Sequence, residues 1–142
     1  MGAEDAPHGV TRLSLYLVDT TVLVAHLRGN EAITRMLLDL LAGQHSLGTS
    51  CVNVAEVERG VRPKERKAAT DLLNRLHFLE TTREAAVRAG RYQAEFERRG
   101  RTIHTADALI AGTARAHGAI LLTDNVRDFP MRDLRIQAPA TS

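Results

Sequence analysis

Hydrophobic positions along the 142-residue chain fall into two rhythms: short apolar runs, and longer stretches repeating at three and four residues. The runs at 14–18, 46–52, 77–79, 119–122 and 134–136 read as strands, because short apolar stretches bounded by polar residues suit a sheet covered on both faces. Between them the helical period takes over. Residues 21–27 form a short helical segment that closes near Gly29, and Asn30 caps 31–42, where Ile33, Met36, Leu37, Leu40 and Leu41 make one buried face. Asn53 starts another helix, with Asn53 and Glu56 in capping-box spacing. Pro63 opens one that carries Ala69, Leu72, Leu73 and Leu76 to the core. Thr81 or Thr82 caps 83–99, whose apolar stripe is Ala85, Ala89, Tyr92 and Phe96, and Gly100 ends it. Thr105 caps 106–117, and Gly118 stops that helix.

Strands alternating with helices, with no Gly/Ser linker, repeat or low-complexity segment, predict one α/β domain over 14–137. Its architecture is a three-layer α/β/α sandwich with a mostly parallel central sheet. Loose tails are expected at 1–13 and 138–142. A chain of this length buries about 70% of the surface its unfolded form exposes, so it needs no disulfide to fold. The single Cys51 lies in an apolar run and is expected to be a buried thiol in a reducing compartment, the cytoplasm. The first residues lack the apolar centre of a secretory signal, and the apolar stretch 13–27 is interrupted by Asp19 and falls short of the ~20 residues of a membrane span.

Charge adds a modest hint. The net charge is +2, yet Lys64 and Lys67 are the only lysines among 19 basic residues. Arginine forks pair bidentately with phosphate or carboxylate, which is compatible with a nucleic-acid partner. With no Trp, three Phe and two Tyr, an aromatic platform for stacking bases is not expected. Arg98, Arg99 and Arg101, shortly before Asp107, offer backbone phosphate contacts.

The chemistry lies in the acids. Asp19 follows the first strand, Glu56 opens the helix after the second, Asp107 opens a helix, and Asp124 follows the fourth strand. Each has a local structural explanation: cap, capping-box partner, first-turn acid favourable to the helix dipole, turn former. In a parallel sheet, however, strand exits and helix starts share one edge, so the four can converge in one pocket. Two carboxylates ~5 Å apart repel by about 3 kcal/mol at an effective dielectric near 20, which calls for a compensating cation. All-oxygen ligation without His or Cys in zinc spacing favours Mg²⁺, or Mn²⁺. His104 is placed to ligate, to shuttle protons, or simply to lie at the surface.

Four segments carry a family likeness: Tyr16-Leu17-Val18-Asp19-Thr20-Thr21-Val22-Leu23, Asn53-Val54-Ala55-Glu56-Val57-Glu58-Arg59-Gly60, Ile103-His104-Thr105-Ala106-Asp107-Ala108-Leu109-Ile110-Ala111, and Leu121-Leu122-Thr123-Asp124-Asn125-Val126-Arg127-Asp128-Phe129. In this order and spacing the chain resembles the PIN-domain ribonucleases, and among them the small single-domain toxins of the VapC type from toxin–antitoxin pairs. The resemblance implies a metal-dependent endoribonuclease with Asp19, Glu56, Asp107 and Asp124 as its acidic quartet. Asp19, Asp107 and Asp124 would be the metal ligands, and Asp128 a frequent extra acid. Thr20, Thr123 and Asn125 match positions that support the site by hydrogen bonding, while Thr21 stands where many members carry Asn or Ser. An RNA substrate, a cognate antitoxin protein and a homodimer are implied in the same way.

Two other readings share these acids. A PIN-like fold can serve only as a protein-binding module. A phosphoryl-receiving signalling domain also places acids at strand ends, but wants a lysine at a later strand end, and both lysines here fall at a helix start.

Overall fold

Strand β1 (Leu15–Val18) is the centre of the molecule because both of its faces are covered: Leu15 and Leu17 point into one apolar cluster, Tyr16 and Val18 into the other. A computed structural model describes residues 12–139. Most of the expected tails, 1–11 and 140–142, lies outside the described residues. Strands β2 (Ser46–Ser50), β3 (His77–Leu79), β4 (Ile120–Leu122) and β5 (Ile136–Gln137) join β1 in a five-stranded sheet of order β3-β2-β1-β4-β5. All four pairings are parallel, so the mostly parallel sheet expected from the sequence is parallel throughout.

Helices α1 (Thr20–Leu27), α2 (Glu31–Ala42), α3 (Cys51–Gly60) and α4 (Arg66–Arg75) cover one face, burying Val22, Leu23, Ile33, Leu37, Val57 and Ala69 against Tyr16, Val18 and Leu122. Helices α5 (Arg83–Glu97) and α6 (Thr105–Ala116) cover the other, with Ala89, Tyr92, Phe96, Ala108 and Ala111 on Leu17 and Leu121. The stripe Ala85, Ala89, Tyr92 and Phe96 is buried as the helical period requires. Asn30 and Thr82 cap as expected, accepting from Ile33 N and Ala85 N at 3.1 Å each.

Local signals fail at three helix starts. Helix α3 begins at Cys51, because Ser50 is extended and accepts from Asn53 N at 3.4 Å. The Asn53–Glu56 capping box is therefore not formed. Cys51 then falls in the first turn of a helix instead of a strand, so it is exposed, its Sγ donating to Thr81 Oγ1 at 3.3 Å. Helix α6 begins at Thr105 after an uncapped His104, since Thr105 Oγ1 is taken as acceptor by Gln93 Nε2 at 3.0 Å. Pro63 starts a 3-10 turn, Pro63–Glu65, ahead of α4. A second 3-10 turn, Val126–Asp128, follows β4, where the sequence pattern predicts none.

Helices α5 and α6 meet at a glycine. A Cβ on Gly112 would stand 2.3 Å from the backbone oxygen of Ala85, whereas one on Gly90, inside α5, would meet nothing within 4 Å. Gly112→Ala is expected to destabilise by about 1–3 kcal/mol through forced separation of the helices. Gly90→Ala is expected to stabilise by up to about 1 kcal/mol through helix propensity. Urea denaturation of both variants reads the pair, and equal effects of one sign would contradict this packing.

The strand order positions the site. The chain runs outward from β1 through β2 to β3, then returns to place β4 on the other side of β1. Order reverses between β1 and β4, and ligands of open parallel sheets bind at the carboxyl ends of strands at such a point.

Candidate active site

Asp19 leaves β1 at that reversal, where its backbone N–H donates to Leu122 O at 2.9 Å, so the end of β4 holds it in place. Its backbone is extended and it caps α1, with Oδ1 accepting from Thr20 N at 2.8 Å. The cap expected of Asp19 is therefore formed, by a side chain that stands at the strand-order reversal. Oδ1 also accepts from Asn53 Nδ2 at 3.3 Å, and Oδ2 from Thr123 Oγ1 at 2.7 Å. Thr123 Oγ1 accepts from Asn125 N at 2.9 Å, which leaves the hydroxyl proton for Asp19. Asp19 is 5% exposed, and this burial raises its carboxyl above the ordinary range, against the hydrogen bonds from Thr123, Thr20 and Asn53 that favour the charged form. The charge of Glu56 pushes the same way as burial.

Glu56 lies on α3, where Thr20 Oγ1 donates to its Oε1 at 2.6 Å. Asp107, in the first turn of α6, is half-buried, and its carboxyl is pushed up to about 6. Burial is the main cause, followed by the charges of Asp128, Asp19 and Glu56, with His104 opposing them. Acids drawn from four separate segments thus act on one another at one edge of the sheet. Asp128 ends the 3-10 turn after β4, and its charge is the largest acting on Asp107. Asp124, at the start of that loop, is exposed. In the loop after β4, Thr123 binds Asp19 and Asp128 bears on Asp107, although Asp124 and Asp128 are both exposed.

The donor set is all oxygen. Among the described residues no three His, Cys, Asp or Glu side chains are already drawn into a cage that could hold a metal ion, unlike a closed structural zinc site. What the acids do present is like charge held together, which a hard divalent cation shared by one or two carboxylates and water would relieve. The residues present fit such an ion.

The remaining candidates stand around this core. His104 is exposed at the start of α6. Arg99 pairs with Glu95 at 2.8 Å and lies 5.2 Å over the Phe96 ring, while Arg101 donates to the backbone oxygen of Arg127 beside Asp128. Arg98 is the C-cap residue of α5. Lys64 sits in the 3-10 turn before α4, and Lys67 pairs with Asp71 at 3.1 Å, so neither stands at a strand end. Two buried polar residues, Ser50 and Asn53, belong to the site although the sequence pattern marks Asn53 only as a cap and Ser50 not at all. The spacing of Asn53 from Glu56, one turn along a helix that follows a strand, is the signal that could have found it.

Fold and site together define an α/β/α protein whose acids gather at the strand-order reversal over a buried hydrogen-bonded floor. The PIN domain profile matches residues 16–133, and the chain belongs to that family. It is 36% identical over 115 residues to ribonuclease VapC19 of Mycobacterium tuberculosis, covering 81% of this chain and 92% of the relative. To the tRNA(fMet)-specific endonuclease VapC of Shigella flexneri it is 29% identical over 119 residues, covering 80% and 89%. Among solved structures, the VapBC2 complex of Rickettsia felis bound to a DNA fragment from its promoter superposes with a TM-score of 0.76 at 26% identity, covering 87% of this chain and 98% of the matched one.

Proposed function

We propose that this protein is a divalent-metal-dependent endoribonuclease and the toxin of a toxin–antitoxin pair, with Asp19, Glu56, Asp107 and Asp124 as its catalytic acids and Mg²⁺, or Mn²⁺, as its ion. One observation carries the reading: burial, and then the charges of Asp128, Asp19 and Glu56, acids far apart in sequence, raise the Asp107 carboxyl. Keeping like charges together is costly, and phosphodiester hydrolysis gives that cost a use. The names of the relatives, ribonucleases matching over about four-fifths of the chain, support the same reading. Solved neighbours that are toxin–antitoxin complexes support a cognate antitoxin as partner, and we include a homodimer acting in the cytoplasm. No helix among the described residues is long and apolar enough to cross a membrane.

Asp19 and Asp107 would hold the ion directly, with Asp124 contacting it from the rim through water. When bound, the ion supplies Lewis-acid stabilisation of charge on the phosphate and lowers the pKa of a water. The chain supplies placement. Hydrogen bonds from Thr123, Thr20 and Asn53 aim the Asp19 carboxylate and favour its charged form against burial, and the Thr20 hydroxyl orients Glu56. With its carboxyl at about 6, Asp107 is largely ionised at neutral pH and accepts a proton in mildly acid solution.

Incubation of the purified protein with RNA in Mg²⁺ is expected to yield fragments with 5′-phosphate and 3′-hydroxyl ends, and none in EDTA. Fragments ending in 2′,3′-cyclic phosphate, or cleavage that persists in EDTA, would overturn the assignment.

A further inference from the structure

Under the acids lies a chain of hydrogen bonds in which every proton has only one place to go. Ser50 Oγ accepts from Asn53 N, so its own proton goes to Asn53 Oδ1 at 2.6 Å. That contact settles the orientation of the Asn53 amide. Its nitrogen must face the acids, and both of its protons are used there, on Asp19 Oδ1 at 3.3 Å and on Thr20 Oγ1 at 3.0 Å. Thr20, having accepted, turns its proton to Glu56 Oε1 at 2.6 Å. Ser50 and Asn53 are fully buried, so water does not compete for these bonds.

The consequence is a count of open positions. A carboxylate oxygen has two acceptor sites. On Asp19, Oδ1 has both taken, by Thr20 N and Asn53, while Oδ2 has one taken, by Thr123. One site remains, on Oδ2. We propose that Asn53 is a positioning residue of the acidic site: locked by Ser50, its amide leaves Asp19 a single open coordination position on Oδ2 and, through Thr20, holds Glu56 in register with it. This rests on the reading of the acids as a divalent-cation site, and it adds that the buried pair Ser50 and Asn53, where β2 passes into α3, sets how tightly that ion is held.

The test is Mn²⁺ affinity measured by titration calorimetry on the purified full chain, alongside the melting temperature in EDTA. Asn53→Ala is expected to weaken Mn²⁺ binding about 10–100-fold, the usual effect of removing a partner that orients a ligand. In cleavage assays at saturating Mn²⁺, kcat is expected to fall and KM for RNA to stay, because Asn53 is fully buried. Thr20→Val weakens Mn²⁺ binding as well, Thr20→Ser restores it by keeping the hydroxyl, and the effects of Asn53→Ala and Thr20→Val fall short of adding, as expected for one relay. Leu134→Ala is the stability control. It removes a buried side chain ahead of β5, at the sheet edge opposite the acids, and is expected to lower the melting temperature without changing Mn²⁺ affinity.

Wild-type affinity in folded Asn53→Ala overturns the proposal, and so does an equal loss of affinity in Leu134→Ala. If Asn53→Ala does not fold, unchanged affinity in Thr20→Val overturns it in the same way. A wild-type chain that binds no Mn²⁺ overturns the metal-site reading itself, and this inference falls with it.

Discussion

Asp107→Asn is expected to give a more stable protein that no longer cuts RNA. In the folded chain its carboxyl is raised to about 6 from the ordinary 3.8, by burial and then by Asp128, Asp19 and Glu56. A carboxyl raised by folding binds its proton more tightly in the native state. Below about pH 4 both states are protonated and nothing is lost; as pH rises from there through 6, the native state loses stability relative to the unfolded chain. At pH 8 without metal, the amide escapes that loss. Each tenfold gain in proton affinity on folding corresponds to roughly 1.4 kcal/mol, but Asp107 is only half-buried, and solvent screening reduces the gain to about 1 kcal/mol. The melting temperature in EDTA at pH 8 should rise by about 3–5 °C. Added Mg²⁺ should then raise the melting temperature of the wild type and leave the variant unchanged, since only the wild type binds. Cleavage should fall by roughly 10²–10³-fold or more. A variant that melts lower in EDTA at pH 8, or that still cuts, would contradict the role given to Asp107.

Asp19→Asn separates the two effects. It should lose cleavage to the same degree without the gain in stability. Three donors, Thr20 N, Asn53 Nδ2 and Thr123 Oγ1, converge on the Asp19 carboxylate. An amide offers one oxygen where two were used, so one of those donors must turn or go unpaired. Burial raises both acids, so the difference in stability between the two variants reports the three donors that Asp19 alone holds.

Much of this is readable from local pattern, and the unread part has a common cause. Strand β1, the helix caps Asn30 and Thr82, and the buried stripe of α5 depend on periodicity and nearest neighbours, which one sequence displays directly. Asp19, Glu56 and Asp107 are legible as a group because strand exits and helix starts share an edge in any parallel sheet. Pattern misleads where one residue has two local options and a distant partner decides. Asn53 has the spacing of a cap, but Ser50 takes the cap and turns the Asn53 amide inward to Asp19. Thr105 has the identity of a cap, but Gln93 of α5 engages its hydroxyl. Cys51 looks like a strand residue, and the early start of α3 carries it to the surface. Which acid of the loop after β4 faces Asp107 depends on the 3-10 turn at Val126–Asp128, and no periodicity encodes that turn.

That loop yields the second large effect. Asp124→Asn and Asp128→Asn each remove one negative charge from the same segment, yet their consequences should differ. Both are exposed, but Asp128 is the strongest charge acting on Asp107, and Asp124 is not among the charges that raise it. Removing the Asp128 charge should lower the carboxyl of Asp107 and loosen the hold on a divalent cation, with a loss of about 10–100-fold in Mn²⁺ affinity and a comparable loss in cleavage. Asp124→Asn should cost less in affinity, because its carboxylate must move inward to reach an ion shared by Asp19 and Asp107. If it orients water or RNA from the rim, the loss will appear in kcat at saturating metal. Raising Mn²⁺ separates the cases: activity of Asp128→Asn should recover with metal concentration, and that of Asp124→Asn should not. The reverse pattern, with Asp124→Asn rescued by metal and Asp128→Asn indifferent to it, would show that the strand-end acid turns inward when the ion arrives and that the loop rearranges around it.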